Sequence, residues 1–452
     1  MHDATALAAA IADGHTTARR VMDASLVACE AQAALGAVVH LNTAMAQEQA
    51  SLADRHDRDQ RGPFHGVPFL MKDLGATAKG LPASAGASAL RTIAAAPKAD
   101  SDLAAAFRSA GLIPFGLSAT PPFGLALSTE PEGLPPARNP WDQDRTPGGS
   151  SGGAAAAVAA GVVAMAHATD AAGSIRVPAA CCGLAGLKPS RGAVPGGPDF
   201  SNHLMGIASE LVLARSVRDI ATLFAHVHDR PPPAIWPESI RIGLALPDRC
   251  DAPQTAGARA AGQVLADAGC IVVTIPAPDQ LGAEAHCIAR KILSVSLAEW
   301  LAILDIPDEA VPALAARTAA EGRAMSGTDV FALSRDVARI SGLAHGLFDN
   351  IDAVLTPVLA THPPDVGAFD LTKPDTDAHF AQMEAFAPNA ALANVAGLPA
   401  FALPFGMADG LPVGVQLMAA KGGDDLLCHL ASLIEARAPT LHYPGPVAGM
   451  PR

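Results

Sequence analysis

The stretch Thr146–Arg176, TPGGSSGGAAAAVAAGVVAMAHATDAAGSIR, places Ser150, Ser151 and Ser174 in two glycine-rich settings within an otherwise apolar run. Close packing explains the Gly and Ala, but not Ser150, Ser151, Asp170, Ser174 and Arg176, because polar groups are costly to bury without partners. Gly148-Gly-Ser150-Ser-Gly152 fits the Gly-x-Ser-x-Gly of a nucleophile elbow, which needs a strand running into its serine. The preceding Arg138-Asn-Pro-Trp-Asp-Gln-Asp-Arg-Thr-Pro147 has two prolines and no apolar run, so that context fails. GGSSGG before a helix could also present N–H groups to a phosphate. A P-loop would end in Gly-Lys-Ser/Thr, however, and here Ala154 follows Gly153. A third reading starts from acyl transfer, which needs a nucleophile, a base and N–H donors for the oxyanion. In Asp170-Ala-Ala-Gly-Ser174 the small residues allow consecutive N–H groups to converge, with Ser174 as nucleophile. The base need not be His, because burial disfavours a charged amine and can keep a lysine neutral. Lys72, at the end of the apolar run Val67–Met71, is such a lysine, and Ser150 could relay the proton between it and Ser174.

Working outward, the 452 residues allow about three domains on length alone, or one large α/β unit. Half the residues are apolar but only 4% are aromatic, so the core must be built of Ala, Leu, Val and Ile, which suits tightly layered helices and strands. The net charge of −13 argues against a nucleic-acid partner, and no polybasic segment offers a footing on an anionic membrane. The opening MHDATALAAAIADGHTTARR has no basic leader before its apolar run, and the least polar window, Gly152–Ala166, is shorter than a bilayer span. With seven Cys, an odd number, a disulfide framework is not expected, and the expected location is the cytoplasm. No Cys-x-x-Cys or His-Glu-x-x-His pattern calls for a metal, and no cofactor is expected.

Periodicity predicts helix over most of Ala4–Leu52, with Thr16–Thr17 as caps for the segment Arg19–Glu30. Strands are predicted at Gly66–Asp73, Leu112–Phe115, Ile240–Leu246, Ile271–Ile275 and Ala353–Thr356. Helices are predicted at Asp102–Ser109, Gly152–Ala166, Ala256–Ala268, Val330–Leu347 and Leu426–Arg437. Strands alternating with helices say α/β, and the two strands flanking Ala256–Ala268 read as a βαβ unit. The proline-rich Pro231–Pro237 is the best linker candidate, with no shift of composition to make it a domain boundary.

Together these residues resemble the amidase signature family. The resemblance is carried by Gly148–Gly153, by Ala168-Thr-Asp-Ala-Ala-Gly-Ser-Ile-Arg-Val-Pro-Ala179 and by Cys182-Gly-Leu-Ala-Gly-Leu-Lys-Pro189. It extends to Gly66–Asp73, Arg138–Asp142, Asn394-Val-Ala-Gly-Leu-Pro399 and Gly410-Leu-Pro-Val-Gly-Val-Gln416, in order along the chain, with divergence between about residues 198 and 348. It implies one amidase domain over residues 1–452, a large mixed β-sheet covered by helices on both faces, with a helical segment at 1–60 and a substrate-pocket region at 200–350. The family's Ser–cisSer–Lys triad would fall on Ser174, Ser150 and Lys72, and its oxyanion hole on the N–H groups of Ala171, Ala172, Gly173 and Ser174. Ser151, Asp170 and Arg176 would support the loop.

Two departures stand out: Ala171-Ala172 adds a methyl where many members have Gly, and Ser118-Ala-Thr-Pro-Pro-Phe-Gly124 lacks an Asn and a Glu often seen there. The segments His167–Ser174 and Cys181–Gly192 look most like the branch of 6-aminohexanoate-cyclic-dimer hydrolases, and are similar to amidases that cleave carbamates. The amidase-like component of glutamyl-tRNA amidotransferase shares the triad but commonly has Gln where Val177 stands. The implied partner is a small amide or carbamate, and a homodimer is compatible with the resemblance. Phe200, His203, Trp300, Met325 and Phe331 are candidates for lining the acyl pocket. The competing function is a non-catalytic binding or complex-forming subunit on the same fold, against which stands the presence of Lys72, Ser150 and Ser174 together.

Overall fold

The computed structural model describes residues 2–57, 61–198, 203–228, 233 and 239–451. Its centre is a mixed sheet of eleven strands: β1 (Val38–Leu41), β2 (Val67–Lys72), β3 (Leu112–Ser118), β4 (Met165–Asp170), β5 (Ala185–Lys188), β6 (Ser209–Ala214), β7 (Arg241–Ala245), β8 (Ile271–Ile275), β9 (Ala353–Pro357), β10 (Ala400–Ala408) and β11 (Leu411–Ala419). Their spatial order is β1-β3-β2-β4-β6-β5-β10-β11-β9-β7-β8. The pairs β3–β2, β2–β4, β9–β7 and β7–β8 are parallel and the rest antiparallel.

Every residue of β2, β3, β4, β5, β6, β9 and β11 is buried. A strand with no in–out alternation must be covered on both sides, and helices pack on both faces of the sheet. The small side chains of the sequence make this close layering feasible. In helix Gly152–Ala159 all eight residues are buried, although none is larger than Val.

Two boundaries differ from the sequence reading. The helix expected at Gly152–Ala166 stops at Ala159, because Gly161 takes φ of 79° and Val162 N–H returns to Ala157 O at 2.9 Å, closing the helix end. The last two of the expected helical residues, Met165 and Ala166, instead open β4, which delivers Asp170 to the site. Between Ala4 and Leu52 the helices Ala4–Ala12, Ala18–Ala31 and Thr43–Ala53 are interrupted by β1, entered after Gly36 at φ 59° and paired antiparallel with β3. Thr17 does cap the second of these helices, accepting from Arg20 N–H. The sequence Asp409-Gly410 turns β10 into β11, both residues at positive φ, as a two-residue hairpin of primed type requires. The predicted linker Pro231–Pro237 lies outside the described residues except for Pro233.

Candidate active site

β2 and β4 run parallel as the third and fourth strands of the sheet, and their last residues are Lys72 and Asp170. The lysine side chain is fully buried, and its Nζ lies 2.7 Å from Ser150 Oγ and 2.7 Å from Thr169 Oγ1. Burial drives the amine from its ordinary 10.5 down to about 7, against the opposing pull of Asp170 and Glu210. Near neutrality it can therefore hold or release a proton.

Ser150 sits in the glycine loop, with a cis peptide bond between it and Gly149. Gly149 is required by close approach: a Cβ there would collide with the backbone O of Ser128. Ser151 Oγ ties this loop to β4, donating to Thr169 O at 3.2 Å and accepting from Thr169 N–H at 3.3 Å.

Ser174 lies on the loop between β4 and the short helix Arg176–Cys182. Asp170 shapes that loop, accepting from Gly173 N–H at 2.7 Å and Ile175 N–H at 3.1 Å. Gly173 has φ of 112°, and a Cβ there would come within 2.8 Å of Ala390 Cβ, so the turn needs glycine. The Gly173 N–H, expected among the oxyanion donors, is engaged by the carboxylate in this structure. Among the described residues no hydrogen bond engages the N–H groups of Ala171, Ala172 and Ser174. Ser174 Oγ likewise has no hydrogen-bond partner there, Ser150 included, and it faces the same cavity as Ser150.

Behind the loop Arg176 and Asp170 form a fully buried, two-pronged ion pair at 2.9 and 3.0 Å. Burial pushes the Asp170 carboxyl up, but the Arg176 guanidinium outweighs it and holds the group at about 2. The remaining guanidinium bonds go to Gln416 Oε1, Asn394 Oδ1 and Ala390 O, each at 2.7 Å. The far segments singled out in the sequence, at 394–399 and 410–416, thus converge on one arginine. Arg138–Asp142 serves the same loop from its other side: Asn139 Nδ2 donates to Cys181 O and Trp141 Nε1 to Cys182 O, satisfying the end of the short helix.

Removing Arg176 would leave a buried carboxylate unpaired. Arg176→Met is expected to destabilise the fold by about 3–5 kcal/mol, read from urea unfolding at pH 7. The Asp170 contribution is present above its unfolded pKa near 3.8 and lost as pH falls through about 2, so the difference between variant and wild type should narrow in that window.

The cavity over Ser150 and Ser174 encloses about 550 Å3, its open mouth included. Thr169 and Ala171 line its reactive end, and Leu74, Phe123, Leu125 and Trp300 its apolar end, with Phe123 and Trp300 in edge contact at 5.5 Å. Of the three pocket candidates whose side chains are described, Trp300 is found here and the other two are not. Its neighbours Leu293, Ser296 and Leu297 share its helical face, a spacing readable in the sequence. Met325 borders a separate cavity, and Phe331 is exposed on the solvent side of its helix. Phe200 lies outside the described residues, and of His203 only the backbone turn is described, from which Leu204 reaches the cavity. Thr169, His167 and Glu210 escaped the sequence reading. The signal for the first two was their alternation along a strand, Met165–Asp170, that the sequence reading did not assign.

The amidase family profile matches residues 20–428. The chain belongs to the amidase family. It is similar to 6-aminohexanoate-cyclic-dimer hydrolase of Pseudomonas sp. (strain NK87), 31% identical with 97% of this chain and 95% of that protein covered. The hydrolase of the same name from Paenarthrobacter ureafaciens is 30% identical over the same shares. The solved structure of 6-aminohexanoate cyclic dimer hydrolase complexed with substrate superposes with a TM-score of 0.88, at 29% identity, covering 98% of this chain and 99% of that one. A bacterial aryl acylamidase of the amidase signature family, 24% identical over 100% and 99% of the two chains, shares the fold with a TM-score of 0.85. This amidase is accordingly an amidohydrolase acting on C–N bonds. Among its described residues no helix is long and apolar enough to cross a membrane.

Proposed function

We propose that the chain cleaves small amides or carbamates, with esters as a third class, through an acyl-enzyme on Ser174. What carries this reading is the fully buried Lys72, whose amine sits 2.7 Å from Ser150 Oγ at the floor of the cavity that Ser174 also faces. Neutral Lys72 takes the Ser150 proton as Ser150 takes that of Ser174, and Ser174 Oγ bonds to the substrate carbonyl carbon. The negative oxygen is met by the N–H groups of Ala171, Ala172 and Ser174, the donors left free by the loop. As the C–N bond breaks, Ser150 gives its proton to the departing nitrogen and regains one from Lys72. Water then attacks the acyl-enzyme along the same relay, releasing the acid and restoring Ser174. For a carbamate the acid released loses carbon dioxide.

The apolar lining at Leu74, Phe123, Leu125 and Trp300 suits an uncharged substrate. The pH dependence of kcat/KM tests the base. With the Lys72 amine near 7, activity should rise through about pH 7 to an alkaline plateau, since only the neutral amine accepts a proton. A profile flat from about pH 6 to 10, with chemistry rate-limiting, would count against Lys72.

A further inference from the structure

β2 pairs with β3 all the way to Lys72↔Ser118, but its register with β4 consists of the single pair Leu70↔Ala166. Two residues farther on, the strands have parted, and Lys72 N–H donates instead to the His167 side chain, at 3.2 Å from Nδ1. A backbone N–H can only donate, so Nδ1 accepts and the ring proton belongs on Nε2. That nitrogen lies 3.2 Å from Glu210 Oε1, which also accepts from Ala76 N–H at 2.8 Å. His167 and Glu210 are both buried, the imidazole packed against Phe107, and neither is used by the mechanism above. Glu210 stands in register opposite Thr169, the second acceptor of the Lys72 amine.

We propose that His167 and Glu210 are positioning residues for Lys72: Glu210 fixes the imidazole tautomer, the imidazole anchors the lysine backbone where two strands separate, and the carboxylate adds to the negative charge that Asp170 already places near the amine. This rests on the reading of Lys72 as the base. The charged and titratable groups around the amine are His167 and Asp170 on β4, Glu210 on β6 and Asp73 next to it in the chain, with Arg176 and Lys188 behind Asp170. Asp170 is paired with Arg176, and Asp73 is tied up by Ser84 and the Gly86 N–H. Among the described residues Glu210 has no Lys or Arg partner. Its charge therefore acts on the amine with little local compensation, in the direction that favours the protonated form.

The test is the rate of labelling by a small fluorophosphonate between pH 5.5 and 10, with folding of each variant checked by thermal unfolding. Glu210→Gln preserves shape and removes the charge, so the rising limb should move to lower pH by about half a unit to one unit. His167→Ala should lower the alkaline plateau by about tenfold or more. His167→Gln, whose carboxamide can accept from Lys72 N–H and donate to Glu210, should recover part of that loss. A folded Glu210→Gln protein with an unmoved limb overturns the proposal. Should that variant fail to fold, a His167→Ala plateau equal to wild type, or no recovery in His167→Gln, overturns it instead. Lys72→Ala separates the two levels. If it labels as fast as wild type, the base reading itself fails; if it is slow while the Glu210→Gln limb stays in place, only the positioning role is lost.

Discussion

Ser174→Ala is expected to lower kcat by at least about 10⁴-fold, because it removes the hydroxyl assigned to the acyl-enzyme and leaves Ser150, the other serine on the cavity, as the relay. Stability should scarcely change, by no more than about 0.5 kcal/mol. The reason is local: the Ser174 hydroxyl has no hydrogen-bond partner among the described residues, so its loss orphans nothing. Ser150 is the contrasting case, since its hydroxyl lies on the Lys72 amine. Turnover of an anilide by purified Ser174→Ala protein, together with its melting curve, checks both halves. Retained activity in a folded variant would move the nucleophile elsewhere.

Lys72→Met should lose about 10³-fold or more in kcat, as expected for removal of a base that acts in concert with its nucleophile. Its stability should carry a distinctive dependence on pH. The wild-type amine titrates near 7 when folded and near 10.5 when unfolded. Between these values the unfolded chain holds a proton that the folded chain does not, so wild-type stability rises with pH across that window. Below it the folded protein bears the full cost of a buried charge. The Met variant has no such cost, and should compare with wild type more favourably at pH 6 than at pH 10. Urea unfolding at the two pH values measures this, and a pH-independent difference would mean that the amine is not depressed.

Much of the site was legible because its chemistry is local in sequence. Ser150, Ser151, Asp170, Ser174 and Arg176 fall within one short stretch, and Lys72 closes an apolar run that is indeed β2. The α/β class followed from alternating elements, and the mixed sheet with helices on both faces from the family resemblance. The misses were of two physical kinds. The helix end at Gly161 was passed over because Gly and Ala continue on both sides of it, hiding a left-handed residue that stops the helix. The engagement of Gly173 N–H by Asp170, and the His167–Glu210 contact, depend on how loop and strands meet in space. Phe331 is a candidate by its place in the divergent region, and the helix that carries it turns it to solvent.

The most direct measurement is peptide mass spectrometry after exposure of the intact chain to a small serine-reactive fluorophosphonate. A single adduct on Ser174, formed slowly or not at all in Lys72→Ala, is the expected result. An adduct on Ser150 instead, or none in well-folded wild-type protein, would contradict acyl-enzyme chemistry at Ser174, and the second outcome would point to a non-catalytic binding role.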